Sequence, residues 1–207
     1  MTSRGFLIAI EGGEGAGKST QAARLAEAIG AEQTREPGGS ELGEKVRALL
    51  LDHTTGEIDA RAELCLMLAA RAQHLAERIR PALEEGRHVV VDRFSGSTIA
   101  YQGYGRGLPI DEVKTACQIA SGGAWPDLNV LLDVPVAVGA ARRAAARGEP
   151  DRIESADDGF HERVMGGFRE LAAAEPARWA VVDGSRSVGE VAGDVLAVVR
   201  ERLGVIP

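Results

Sequence analysis

Two cysteines, Cys65 and Cys117, are all that the 207 residues contain. That is too few for a disulfide framework, and their separation does not match a metal site. Both lie in apolar helical patterns, so both read as small buried thiols. No apolar run is long enough to span a bilayer, and no secretory leader is recognisable. These absences predict a cytoplasmic protein with no membrane partner. Excess positive charge is also missing: 24 basic residues stand against 31 acidic ones, a net charge of -7. A chain of that sign has no general attraction to nucleic acid, so no nucleic-acid partner is expected. Any polyanion must instead be held by local clusters of arginine. No internal repeat, low-complexity tract or long linker divides the chain. Residues 1–207 read as one α/β domain, long enough for a sizeable core.

What is present is sharper. Gly12-Gly13-Glu14-Gly15-Ala16-Gly17-Lys18-Ser19 matches the phosphate-binding loop G-x-x-x-x-G-K-[ST] at every fixed position. The apolar run Phe6–Ile10 precedes it, and a helical pattern through Ala23, Leu25, Ala26 and Ile29 follows. Backbone N–H groups from Gly12 to Thr20 can converge on a triphosphate there, aided by the helix N-terminus. Lys18 is expected to reach the β- and γ-phosphates and Ser19 to bind Mg²⁺. Glu14, a carboxylate inside such a loop, needs a separate explanation. Without an Asn-Lys-x-Asp segment, guanine recognition of the GTPase kind is unsupported.

Further strand-like runs cover His88–Asp92, Leu128–Asp133 and Trp179–Asp183, with a weaker one near Glu32-Gln33-Thr34. Continuous rather than alternating apolar runs predict strands covered on both faces. Helical patterns between them predict right-handed crossovers and a parallel sheet. Asp92, Asp133 and Asp183 close three of the runs, at the end where such sheets bind ligands.

Arginine clusters mark a second anion site. In Asp92-Arg93, Asp92 suits a metal ion or a helix cap, and Arg93 a phosphate or solvent. Arg71 falls on the stripe Leu64, Leu68, Arg71, Leu75, Ile79, so it either pairs with an anion or forms a structural salt bridge. Arg142, Arg143, Arg147 and Arg152 crowd a segment broken by Gly148 and Pro150. Residues of about 142–155 read as a mobile lid that brings charge to transferring phosphates.

The order and spacing of these pieces resemble thymidylate kinase along most of the chain. The resemblance is carried by Glu11–Thr20, Thr34-Arg35-Glu36-Pro37-Gly38-Gly39, Ala69-Ala70-Arg71, Asp92-Arg93 with Thr98 and Tyr101-Gln102, Gly105-Arg106-Gly107, Leu132-Asp133-Val134-Pro135, and Arg147-Gly148-Glu149 with Asp151-Arg152-Ile153-Glu154. It implies a P-loop NTPase fold like that of nucleoside monophosphate kinases: a five-stranded parallel sheet wrapped by helices. It implies transfer of the ATP γ-phosphoryl group to dTMP with Mg²⁺, Ser19 and Asp92 serving the metal. By matching position Glu14 contacts the acceptor's 3′-hydroxyl, and Arg93 and Arg71 hold its phosphate and base. Thr98 and Gln102 lie near the base, Tyr101 packs on the deoxyribose, and Glu36 belongs to the same acceptor site. Met67 stands where many members carry a phenylalanine stacked on thymine. Gly15 stands where one branch of the family carries a catalytic arginine. That resembles the bacterial type, with catalysis assigned to Lys18, Asp92 and the lid arginines, chiefly Arg147 and Arg152. Arg142 is a candidate for the ATP side, with the turn Asp183-Gly184-Ser185-Arg186.

The run Leu64–Ala70 is apolar around the whole helix, which predicts burial on every side. This predicts a homodimer interface, which the resemblance also implies; the alternative is cover by another helix of the same chain. A kinase for another nucleoside monophosphate or small metabolite on the same scaffold remains the rival reading. A non-catalytic nucleotide-binding module is the rival from another class.

Overall fold

The computed structural model describes residues 4–146 and 149–205. Five strands form one sheet: β1 (Leu7–Glu11), β2 (Glu32–Arg35), β3 (Val89–Asp92), β4 (Leu128–Asp133) and β5 (Trp179–Asp183). Their order is β2-β3-β1-β4-β5 and every pairing is parallel. The continuous apolar runs follow from this. Alternate residues of one strand serve opposite faces, and both faces are covered. Ile8, Ile10, Val90, Val130 and Leu132 pack beneath helices α1 (Lys18–Ile29) and α9 (Val188–Leu203). Leu7, Ala9, Val89 and Val91 face the other way, against Leu75, Ile79 and Phe94. The weak signal at β2 has a simple cause. It is an edge strand of Glu, Gln, Thr and Arg, with only Thr34 buried.

Helices α2 (Glu41–Leu51), α3 (Ala60–His74), α6 (Ile110–Ser121), α7 (Val136–Ala145) and α8 (Asp158–Ala174) complete most of the wrapping. α3 runs through a π-helical turn, Leu75–Ile79, into the short α4 (Arg80–Glu84). The short α5 (Ser95–Thr98) likewise continues as a π-helix over Ile99–Gly105. Such wide turns recur at functional sites.

The packing of α3 departs from the sequence expectation. Its fully buried residues are Glu63, Ala70, Arg71 and His74, so three polar groups share the inward side with Leu64, Met67 and Leu68, which pack on the core. Leu64, Leu66, Met67 and Leu68 are half-buried, and Cys65 and Ala69 are exposed. Cys65 is thus no core thiol, whereas Cys117 is. Apolar periodicity shows which side of a helix avoids water. It does not show whether the cover comes from the same chain.

Candidate active site

All five strands end in a charged residue at the same edge of the sheet: Glu11, Arg35, Asp92, Asp133 and Asp183. The phosphate loop leaves β1 at the middle of that edge. Gly12, Gly15 and Gly17 all have positive φ there. At Gly15 a Cβ would lie 2.2 Å from the Gly139 carbonyl oxygen on α7, so no side chain fits. Gly17 caps α1 with no side-chain hydrogen bond, leaving the first-turn N–H groups free for an anion. Gly13 is half-buried, Ala16 is buried, and Thr20 is exposed on that first turn. Lys18 curls back to donate to the Gly13 carbonyl at 2.7 Å. Burial, reinforced by the charge of Arg93, lowers the pKa of its ammonium group.

Glu14 points out of the loop. Its carboxylate pairs with Arg93 and accepts from the Tyr101 hydroxyl at 2.7 Å. Burial alone would raise its pKa. The charges of Arg93 and Lys18 and the Tyr101 hydroxyl outweigh that and lower it to about 2. Arg93 has φ 71, a strained conformation for a residue with a side chain. The twist carries its guanidinium back over the loop. There it donates to the Gly12 carbonyl at 3.0 Å and lies 4.8 Å above the Tyr101 ring.

Of the three strand-end aspartates, only Asp92 serves this loop. It accepts from the Ser19 hydroxyl at 2.5 Å through Oδ2, while its buried Oδ1 has no partner among the described residues. Asp133 is tied to Arg169, and Asp183 accepts from Ser185. A hydroxyl beside an orphaned carboxylate oxygen fits a hard cation that takes its remaining ligands from phosphate and water.

Beside the loop opens a cleft of about 240 Å³, lined at one end by Glu14, Lys18, Asp92 and Arg93 and at the other by Met67, Arg71, Thr98 and Gln102. Arg71 is buried and ion-paired with Glu36 at 2.7 Å, so the structural salt bridge is present. It also donates to Thr98 at 2.9 Å. Glu36 in turn contacts His74 at 3.1 Å, and His74 reaches Thr34 at 2.7 Å. Sequence reasoning passed over His74, Glu63 and Glu11. Glu11 is buried, accepts from Phe94 N–H at 3.0 Å and from Ser97 at 2.5 Å, and so anchors the turn carrying Arg93. The recoverable signal was on α3, where Glu63, Met67, Arg71 and His74 recur at spacings of three and four residues.

The lid arginines diverge. Arg147 and Gly148 lie outside the described residues. Arg142 donates to the carbonyls of Gly184 and Ser185 at 2.8 and 3.0 Å, joining α7 to the turn after β5. Arg143 shares a small pocket with Gly13 and Glu14. Arg152 is directed elsewhere, donating to the Leu50 carbonyl at 2.8 Å and to Glu63 at 2.5 Å.

A phosphate loop on the central strand of a 2-3-1-4-5 parallel sheet, with an arginine-lined cleft against it, defines a P-loop enzyme of the nucleoside monophosphate kinase type. The thymidylate kinase family model matches residues 10–195. A thymidylate kinase of Solidesulfovibrio magneticus is 49% identical over 96% of this chain and 100% of its own length. One of Deinococcus radiodurans is 47% identical over 97% and 98%. The crystal structure of thymidylate kinase from Ehrlichia chaffeensis superposes with a TM-score of 0.79 at 31% identity, covering 95% of this chain and 99% of that one. The chain belongs to the thymidylate kinase family.

Proposed function

We propose that this protein transfers the γ-phosphoryl group of ATP to dTMP, giving dTDP and ADP. One observation carries the reading. Glu14 belongs to the phosphate loop by sequence and to the cleft by its contacts with Arg93 and Tyr101. The two substrates then share a wall, and the transferred group need cross only that boundary.

In this reading Lys18 and the loop N–H groups hold the triphosphate. Ser19 and Asp92 hold magnesium, which neutralises charge on the phosphate oxygens. Arg93 exchanges part of its pairing with Glu14 for the acceptor phosphate, and Glu14 takes the 3′-hydroxyl. Tyr101 packs on the sugar, while Met67, Arg71, Thr98 and Gln102 surround the base, with Glu36 fixing Arg71. The acceptor phosphate is largely dianionic near neutral pH and needs no general base. Catalysis rests on position and on charge supplied by Lys18 and the lid arginines, with Arg142 serving the ATP side. Lid closure over residues of about 142–155 also keeps out water, the competing acceptor.

We further infer a homodimer formed across α3. The exposed Cys65 and Ala69 and the half-buried Leu64, Leu66 and Leu68 support it, because they leave apolar surface on that helix for a second copy to cover. The work is assigned to the cytoplasm, where both nucleotide substrates are drawn from solution. An ADP-release assay across dTMP, dUMP, AMP and CMP tests the function. dTMP should be the best acceptor, with dUMP next. A clear preference for AMP or CMP, or no transfer at all, would overturn it.

A further inference from the structure

Glu63, near the start of α3, is fully buried and has no part in the steps above. Its carboxylate accepts from Gln102 Nε2 at 2.9 Å, from Arg106 at 3.1 and 3.2 Å, and from Arg152 at 2.5 Å. Burial alone would raise its pKa. Hydrogen bonds from Arg106, Gln102 and Arg152 outweigh burial and hold it below the ordinary value. Glu63 is therefore ionised, and an ionised carboxylate can only accept.

That fixes the amide of Gln102. Its NH₂ must face Glu63, so its Oε1 faces the other way. Gln102 lines the cleft, and Oε1 takes no hydrogen bond from the described residues. An acceptor in that setting wants a donor from whatever fills the cleft.

We propose that Glu63 is the positioning residue for pyrimidine choice. It holds the Gln102 amide with its oxygen toward the base, so the site selects a pyrimidine carrying N3–H over one whose N3 is an acceptor. Thymine and uracil have that N–H; cytosine does not. Cytosine would set acceptor against acceptor and leave both unpaired in a dry pocket, a costly arrangement. The inference rests on the dTMP reading above. Glu63→Gln removes the constraint, because the new amide presents either a donor or an acceptor and leaves Gln102 free to turn over. The same carboxylate holds Arg152, so the base end of the cleft and one lid arginine share an anchor.

The test compares kcat/KM for dTMP and dCMP at saturating ATP in wild type, Glu63→Gln and Glu63→Asp. In Glu63→Gln the dTMP-to-dCMP ratio should fall by about tenfold or more, mainly through KM, with dCMP improving in absolute terms. A purely structural role would slow both substrates alike, and an unchanged ratio overturns the proposal. Glu63→Asp keeps an acceptor-only group, so it should hold the ratio within a few-fold even where turnover drops. A collapse in Asp equal to that in Gln also overturns it. Should Glu63→Gln not fold, Glu63→Met, which removes the acceptor altogether and leaves Gln102 free to turn, makes the same comparison: the ratio should fall likewise, and an unchanged ratio overturns the proposal. If the wild type fails on dTMP, the functional reading falls; if it succeeds and the ratio does not move, only this inference falls.

Discussion

Glu14 puts a negative charge beside a loop built to receive a triphosphate. The conflict disappears because its carboxylate turns onto Arg93 and Tyr101. Glu14→Gln should therefore raise KM for dTMP by about tenfold while leaving KM for ATP within a few-fold. Loss of ATP affinity instead would put Glu14 on the donor side. The same pairing sets a pH dependence. The folded pKa of about 2 lies below the ordinary 4.5, so the group stabilises the fold above about 4.5 and that contribution drains away as pH falls toward 2. Urea midpoints measured through that window should fall less steeply in Glu14→Gln than in wild type. Equal slopes would show that the pair contributes nothing to stability. Gly15 is constrained from the other side. It has φ 72, and a Cβ would strike the Gly139 carbonyl, so Gly15→Ala should cost about 1–3 kcal/mol in chemical denaturation. A stability equal to wild type would mean that α7 yields freely.

Among the elements, α7 matters most. It touches the phosphate loop through Gly139 and the turn after β5 through Arg142. A catalytic arginine on the loop itself at position 15 has no space. In the mechanism proposed above, charge for the transferring phosphoryl group is therefore assigned to the segment that follows α7. Arg152 donates to Leu50 and Glu63, so the catalytic part proposed for it requires those contacts to be given up when both nucleotides are bound. Arg152→Ala should lower kcat by about 10³-fold with a much smaller change in dTMP binding. Turnover near normal in a stopped-flow measurement would leave Arg152 with the structural contacts alone. The π-helical run Ile99–Gly105 is the other decisive element, since Tyr101 and Gln102 lie within it. The wider turn changes which residues share a face, and helical-wheel reasoning at 3.6 residues per turn does not follow it.

For the whole molecule, α3 divides two tasks between its sides. The inward side buries Glu63, Arg71 and His74, while Cys65 and Ala69 are exposed and Leu64, Leu66 and Leu68 are only half-covered by the chain itself. Sedimentation at micromolar concentration should show a dimer, and Ala69→Glu should convert it to monomer with little loss of secondary structure. A wild type that sediments as a monomer would leave the outward side of α3 without an explanation. No helix is long and apolar enough to cross a membrane among the described residues, so the apolar side is not part of a helical span.

The amino-acid sequence by itself determined the phosphate loop and the parallel sheet, which rest on local rules, and the family, which rests on the order and spacing of motifs along the chain. Glycine and lysine spacing specifies the loop, and continuous apolar runs specify strands covered on both faces. Residues such as Lys18, Asp92 and Arg93 were legible for the same reason: each stands at a strand end or helix start. Only the tertiary structure decided what each charge meets. The spacing along α3 points to Glu63 but not to its partners, because Gln102, Arg106 and Arg152 come from distant segments. Asp92 and Asp133 look alike in sequence, yet one serves the loop and the other pairs with Arg169. Electrostatic partners in a folded chain are chosen by proximity in space, and a linear pattern carries no record of that.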